Sequence, residues 1–237
     1  MEIEPTPDVK MMFPVRRKPN TTHEEFLVYW FAHHMPVTIA AMGDVGRGYI
    51  GTPFQAAADG THPWDGMAQM FLAEPLATPA EGFGAKPVDS FQEHAQPYFG
   101  WATQEYVFLQ GDEFLPVRPL TLHAPFPTTR SGFFKVTRLV KAKNASEFDE
   151  LHAYWLQEHA AHVVEAMRAA NGFRYVVGLS LEPQNAPYAG MEELYFPDVS
   201  NWQNYQQIMQ DNDLSKWVDD EGVQTFYTDT EFVAIPL

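Results

Sequence analysis

Residues 22–42 read THEEFLVYWFAHHMPVTIAAM. Apolar or aromatic side chains recur at Phe26, Trp30, Val37 and Ala41, with Leu27 beside them. Spacings of three, four and seven put these residues on one face of an amphipathic helix. Thr22 is placed to cap that helix, and Glu24 and Glu25 set negative charge in its first turn, where the helix dipole favours it. Pro36 has no N–H to give and meets the carbonyl of Ala32, so a kink or break is expected just after His33-His34. Gly43 is the expected C-cap.

The same pattern returns further on. Leu151, Tyr154, Trp155 and His159 repeat Phe26, Tyr29, Trp30 and His34 at identical spacing. Lys135 answers Lys10 at the same offset, Tyr188 to Tyr195 resembles Trp64 to Phe71, and Glu231-Phe232 answers Glu113-Phe114. Landmarks in one order argue for two copies of one unit. The expected division is residues 1–117, a linker at 118–130 with its prolines, and residues 131–237, each unit a common domain size.

Composition narrows the classes. There are 15 basic against 31 acidic residues, a formal charge of −16, which argues against binding nucleic acid or an anionic membrane. The chain has no cysteine, so disulfides, thiolate catalysis and Cys-based zinc sites are excluded. No run approaches the ~20 apolar residues of a membrane span. The start, MEIEPTPDVK, has no apolar signal core, and a cytoplasmic location is expected.

Strands are expected at 9–14, 46–54, 67–73 and 105–117, the last bulged at Gly111, with a short helix at 88–95. In the second unit, strands are expected at 133–140, 173–181, 191–196 and 225–235. Helices are expected from Ser146 to about Ala170, ended by Asn171-Gly172, and from a Ser200 cap through Trp202 and Tyr205. Strand-helix-strand-strand-helix-strand, with a parallel crossover between first and third strands, predicts an α+β fold. It consists of two tandem ferredoxin-like units packed into an intramolecular, pseudo-dimeric α+β barrel.

Lys10, Arg17-Lys18-Pro19, Glu24-Glu25-Phe26, Tyr29-Trp30 and His34 with Pro36 resemble the EthD family of the dimeric α+β barrel superfamily. The second unit carries Lys135, Tyr154-Trp155, His159 and Gly190-x-x-Glu193-Leu194-Tyr195-Phe196, but Ala161 stands where Pro36 does and Asn144-Ala145 replaces the proline turn. The resemblance implies small proteins that form the barrel in pairs. It also implies a superfamily whose members include polyketide cyclases and dehydratases, lactone isomerases, metal-free monooxygenases and haem-dependent enzymes. Fold does not choose among these.

His34 and His159 are the candidate catalytic residues, since a neutral imidazole beside an apolar face can take a proton next to a carbonyl and return it to a leaving hydroxyl. Tyr29, Trp30, Tyr49, Tyr154, Trp155 and Tyr175 are the candidate substrate-binding residues, suited to a flat apolar compound. The structural alternative is that each histidine bonds a neighbouring strand and each aromatic is core. His152, His159 and His162 fall within about 80° of arc on one helix. They lack a His-Glu-x-x-His pattern or a facial triad, and neither a metal nor a haem is expected. No cofactor is expected.

The expected activity is that of a cofactor-independent lyase (dehydratase) or isomerase acting on an aromatic or polyketide-like carbonyl compound. The competing class is a non-catalytic apolar-ligand-binding or stress-related protein. The expected partner is a small apolar molecule, with no nucleic acid and no membrane, in a monomer with an internal pseudo-dimer or in a homodimer.

Overall fold

Thr22 opens the first helix through a reciprocal cap. Its hydroxyl accepts from the Glu25 N–H at 3.2 Å, and the Glu25 carboxylate accepts from the Thr22 N–H at 3.0 Å. The computed structural model describes residues 3–56, 63–115, 127–209, 213–218 and 222–237. Residues 118–126 of the expected linker lie outside them, as do residues 116–117 of the strand expected at 105–117.

The helix continues where a break was expected. It runs as α1 (His23–Val28), a π-helical turn (Tyr29–His34) and α2 (Met35–Met42), with Pro36 at the start of α2. The Met35 N–H reaches back to the Trp30 carbonyl, one residue further than in an α-helix. A second π turn, Trp155–His159, joins α4 (Phe148–Tyr154) to α5 (Ala160–Ala169), and there Ala161 stands in place of Pro36. Proline is therefore not the cause. The turn goes with the Trp-x-x-x-His pair, whose rings are buried in both helices. Gly43, at φ 49°, ends α2, and Asn171, at φ 57°, ends α5. The last long helix, α6 (Val199–Ile208), is capped by Asp198 rather than Ser200, its carboxylate accepting from the Ser200 and Asn201 N–H groups. The short helix α3 is Ser90–His94.

The strands are β1 (Val9–Val15), β2 (Gly46–Pro53), β3 (Gly66–Leu72), β4 (Trp101–Leu109), β5 (Thr128–Val140), β6 (Arg174–Ser180), β7 (Gly190–Phe196) and β8 (Val223–Ile235). The expectation of two separate ferredoxin-like sheets with parallel crossovers is corrected here. β1 pairs with β3, and β5 with β7, in antiparallel register. The strands form one closed barrel in the order β1-β3-β2-β8-β5-β7-β6-β4. β4 pairs with β6 from Thr103↔Ser180 onward, and the end of β8 pairs with β2 at Ile50↔Val233 and Gly51↔Phe232. Two separate sheets would each leave unpaired edges, and a closed ladder leaves none.

Two compact units result. The first comprises Asp8–Ala102, Pro116–Ser131 and Thr230–Leu237, and the second Met1–Pro7, Thr103–Leu115 and Gly132–Asp229. The first has its core around Phe13, Phe26, Trp30, Met35, Tyr49 and Phe91. The second has its core around Val136, Leu151, Trp155, Met167, Tyr175 and Leu194. Among the described residues, no helix is long and apolar enough to cross a membrane.

Candidate functional site

The two Trp-x-x-x-His helices belong to units whose matching ladder positions hold different residues. In the second unit Arg138 of β5 stands opposite Glu192 of β7, and in the first unit Phe13 of β1 stands opposite Ala68 of β3. Tyr175 is registered with Leu194, and Tyr49 with Met70, so the tyrosines take matching places beside these pairs. One unit thus has an ion pair where the other has an aromatic ring and a methyl group.

In the second unit the ion pair fills the space. Glu192 Oε1 accepts from Trp155 Nε1 at 2.8 Å, from the Tyr175 hydroxyl at 2.7 Å and from His159 Nε2 at 3.0 Å, and Oε2 accepts from Arg138 Nη1 at 2.7 Å. Burial alone would raise the Glu192 pKa. The charges of Arg138 and His159, with the hydrogen bonds from His159 and Tyr175, outweigh it and hold the carboxyl at about 2. An ionised carboxylate can only accept, so His159 Nε2 carries its proton toward Glu192. Burial, and then the Glu192 charge, push the Tyr175 phenol far up.

In the first unit the short Ala68 side chain leaves a cavity of about 340 Å3. Phe13, Trp30, Tyr49, Phe91 and Tyr98 wall it with rings, and Val37, Ala41 and Met42 of α2 add aliphatic surface. His34 and Asp89 also line it. Asp89 is the N-cap of α3, where Oδ1 accepts from the Gln92 N–H at 2.9 Å. Its Oδ2 meets His34 Nδ1 at 2.6 Å. Burial raises the Asp89 pKa, but the hydrogen bonds from His34 and the Gln92 backbone lower it further, and the carboxyl ends below its ordinary value. Nδ1 thereby carries its proton toward Asp89, so in the neutral form of the ring Nε2 holds the lone pair.

That lone pair faces the Tyr98 hydroxyl at 3.4 Å, while the imidazole lies against Phe91 with ring centroids 4.5 Å apart. Gln92 Nε2 donates to the Tyr98 oxygen at 3.3 Å, and burial pushes the Tyr98 pKa up to about 12, so it stays protonated. Tyr49 accepts from Trp30 Nε1 at 3.2 Å, and burial raises its phenol in the same sense.

The candidate residues thus fall into three groups. His34, Trp30 and Tyr49 share the cavity, with Nε2 of His34 as its basic atom. His159, Trp155 and Tyr175 converge on Glu192. Tyr29 and Tyr154 join neither, since Tyr29 stacks on His94 at 4.2 Å and Tyr154 lies against Trp217 at 4.4 Å.

Asp89, Gln92, Tyr98, Arg138 and Glu192 were not foreseen as site residues. The signal for Asp89 was an acidic cap at the head of the short helix, and Glu192 lay inside the repeated Gly190-Met191 segment.

Among the described residues, no three His, Asp or Glu side chains converge as a metal would need. His152 Nε2 is taken by the Ala189 carbonyl at 3.3 Å, and His162 is exposed. Haem asks for a free imidazole nitrogen with room for iron. His159 is 1% exposed with Nε2 on Glu192, and Nε2 of His34 has the Tyr98 hydroxyl 3.4 Å in front of it, so neither fits.

Residues 143–229, which hold His159 and Glu192, match the family model described as the EthD domain. No curated protein matches the chain. A mutant chlorite dismutase from Candidatus Nitrospira defluvii superposes with a TM-score of 0.53 at 8% identity, over 96% of this chain and 92% of that one. Another mutant of that enzyme, in complex with cyanide, gives 0.52 at 8% identity, over 93% and 90%. At such identity the likeness to these structures shows a shared fold alone.

Proposed function

We propose that the His34 cavity takes up a neutral, mostly apolar carbonyl compound, aromatic or polyketide-like, and moves a proton on it as a cofactor-independent lyase or isomerase. The observation that carries this is the orientation of one imidazole: Nδ1 on Asp89, and Nε2 facing the Tyr98 hydroxyl at 3.4 Å in the wall of an apolar cavity. His34 Nε2 takes the proton from the carbon next to the carbonyl, and the C–H electrons move onto the carbonyl oxygen. Tyr49, whose oxygen accepts from Trp30, keeps its own proton to donate to that oxygen. In the lyase direction the electrons return to form C=C and expel a β-hydroxyl, which leaves as water with the proton from Nε2. In the isomerase direction the proton goes back to a different carbon.

Charge supports a neutral substrate. Among the described residues the cavity has no Lys or Arg in its lining, and the one carboxylate there, Asp89, would repel an anion.

A second reading has its own support. Val37, Val45, Leu76 and Val88 line the same cavity and are 51%, 67%, 44% and 79% exposed, an apolar rim suited to simple uptake of an apolar ligand. Incubation with 1-tetralone in deuterated buffer separates the two. Deuterium entering next to the carbonyl faster than in buffer, and no faster with His34→Gln, supports proton transfer. Tetralone binding without exchange would leave the protein a binder.

A further inference from the structure

We propose a second ligand site, for a small aromatic carboxylate, in the second unit between α6 and strands β5 and β8. It shares no residue with the His34 cavity and is independent of the reading given to that cavity. A cavity of about 270 Å3 lies there, lined by Arg138, Trp202, Tyr205, Gln206, Thr225 and Tyr227.

Its polar groups are oversupplied with donors. Arg138 gives one N–H to Glu192 at 2.7 Å, and its side chain is 12% exposed. A guanidinium has five N–H groups in a planar fork and can bridge two carboxylates at its two edges. Tyr205 is 3% exposed, and among the described residues its hydroxyl has no hydrogen-bond partner. Buried hydroxyls are nearly always paired, so the Tyr205 hydroxyl is a donor still open to a ligand oxygen that reaches it. Burial raises the Tyr205 pKa, which keeps the hydroxyl protonated and a donor. Gln206 and Thr225 add two more groups able to donate. Among the described residues no acidic side chain lines the cavity.

The shape of the demand is therefore an anion with at least two acceptor oxygens. Its body is set by Trp202 and Tyr227, whose rings lie 6.3 Å apart at 58°, and by Met209. A flat ring with a carboxylate satisfies both. Glu192 does not preclude it, because that carboxylate is already held by Trp155, Tyr175 and His159 besides Arg138.

The test is a titration of the full chain with benzoate and with benzamide, followed through the Trp indole N–H resonances. Saturable binding of benzoate, at least tenfold tighter than benzamide, is expected. Removing Arg138 would strip the buried Glu192 of its guanidinium partner and destabilise the chain, so Tyr205→Phe and Gln206→Ala are the variants of choice. Each is expected to weaken benzoate severalfold with the melting curve preserved. His34→Gln, in the other cavity, is expected to leave benzoate binding as it was. Failure of benzoate to saturate, equal binding of benzamide, or wild-type affinity in both Tyr205→Phe and Gln206→Ala would overturn the proposal. So would loss of benzoate binding in His34→Gln.

Discussion

His34 Nδ1 lies 2.6 Å from Asp89 Oδ2, and this contact decides which imidazole nitrogen meets the cavity. Asp89→Asn removes the charge that fixes the tautomer but keeps a good N-cap for α3. Deuterium exchange into a bound ketone is expected to fall about 100-fold, with a melting temperature within a few degrees of wild type. An exchange rate that survives intact would show that His34 is not the base.

Tyr98→Phe takes away the hydroxyl that faces His34 Nε2 at 3.4 Å. It also leaves the Gln92 amide without its acceptor, at a cost of about 1 kcal/mol. If Tyr98 orients the substrate oxygen, turnover drops while ketone affinity changes little. Steady-state kinetics with a denaturant melt distinguishes that from general loosening of the unit.

Ala68→Leu fills the cavity from its floor. The added methyl groups enter existing space, so stability is expected to stay within about 1.5 kcal/mol of wild type. Binding of 1-tetralone should be lost, as calorimetry would show. Unchanged binding would move the ligand elsewhere.

The Glu192 carboxyl carries a stability signature in acid. Its folded pKa of about 2 lies below the ordinary 4.5, so the folded state binds the proton less readily than the unfolded chain. The resulting stabilisation is present above about pH 4.5 and is lost as pH falls toward 2. Glu192→Gln leaves Arg138 buried without its partner and is expected to cost about 3–5 kcal/mol at neutral pH. The gap from wild type should narrow between pH 4.5 and 2, as urea titrations at several pH values would reveal.

Gly190→Ala would bring a Cβ to 2.5 Å from the Gly178 carbonyl oxygen and 3.2 Å from the Trp155 ring. The oxygen belongs to a paired strand and cannot retreat, so a loss of about 1–3 kcal/mol is expected from a denaturant series. Gly132→Ala meets nothing within 4 Å but sits at φ 93°, so its smaller cost would come from the backbone alone.

What the sequence made legible was what is local. Thr22, three residues before Glu25, announced its cap, and the Tyr-Trp with a following histidine announced the EthD likeness that the match at 143–229 bears out. The closed strand order was not legible, because nothing in β4 or β8 names the strand it will pair with. The partner of His34 was hidden for a similar reason. Asp89 is 55 residues away and comes into reach only when α3 lies against the π turn. The difference between the units was visible as letters, Phe13 and Ala68 against Arg138 and Glu192. It acquires meaning only once the ladders show each pair standing face to face.

The exchange of terminal strands has a consequence for how the chain can be divided. β8 begins in one unit and ends in the other, and β4 leaves the half that encodes it to pair with β6. A peptide-bond cleavage between residues 116 and 126 would therefore produce fragments that each withhold a piece the other lacks. Neither would be self-sufficient, and the two would behave as a split reporter does, regaining structure only on meeting.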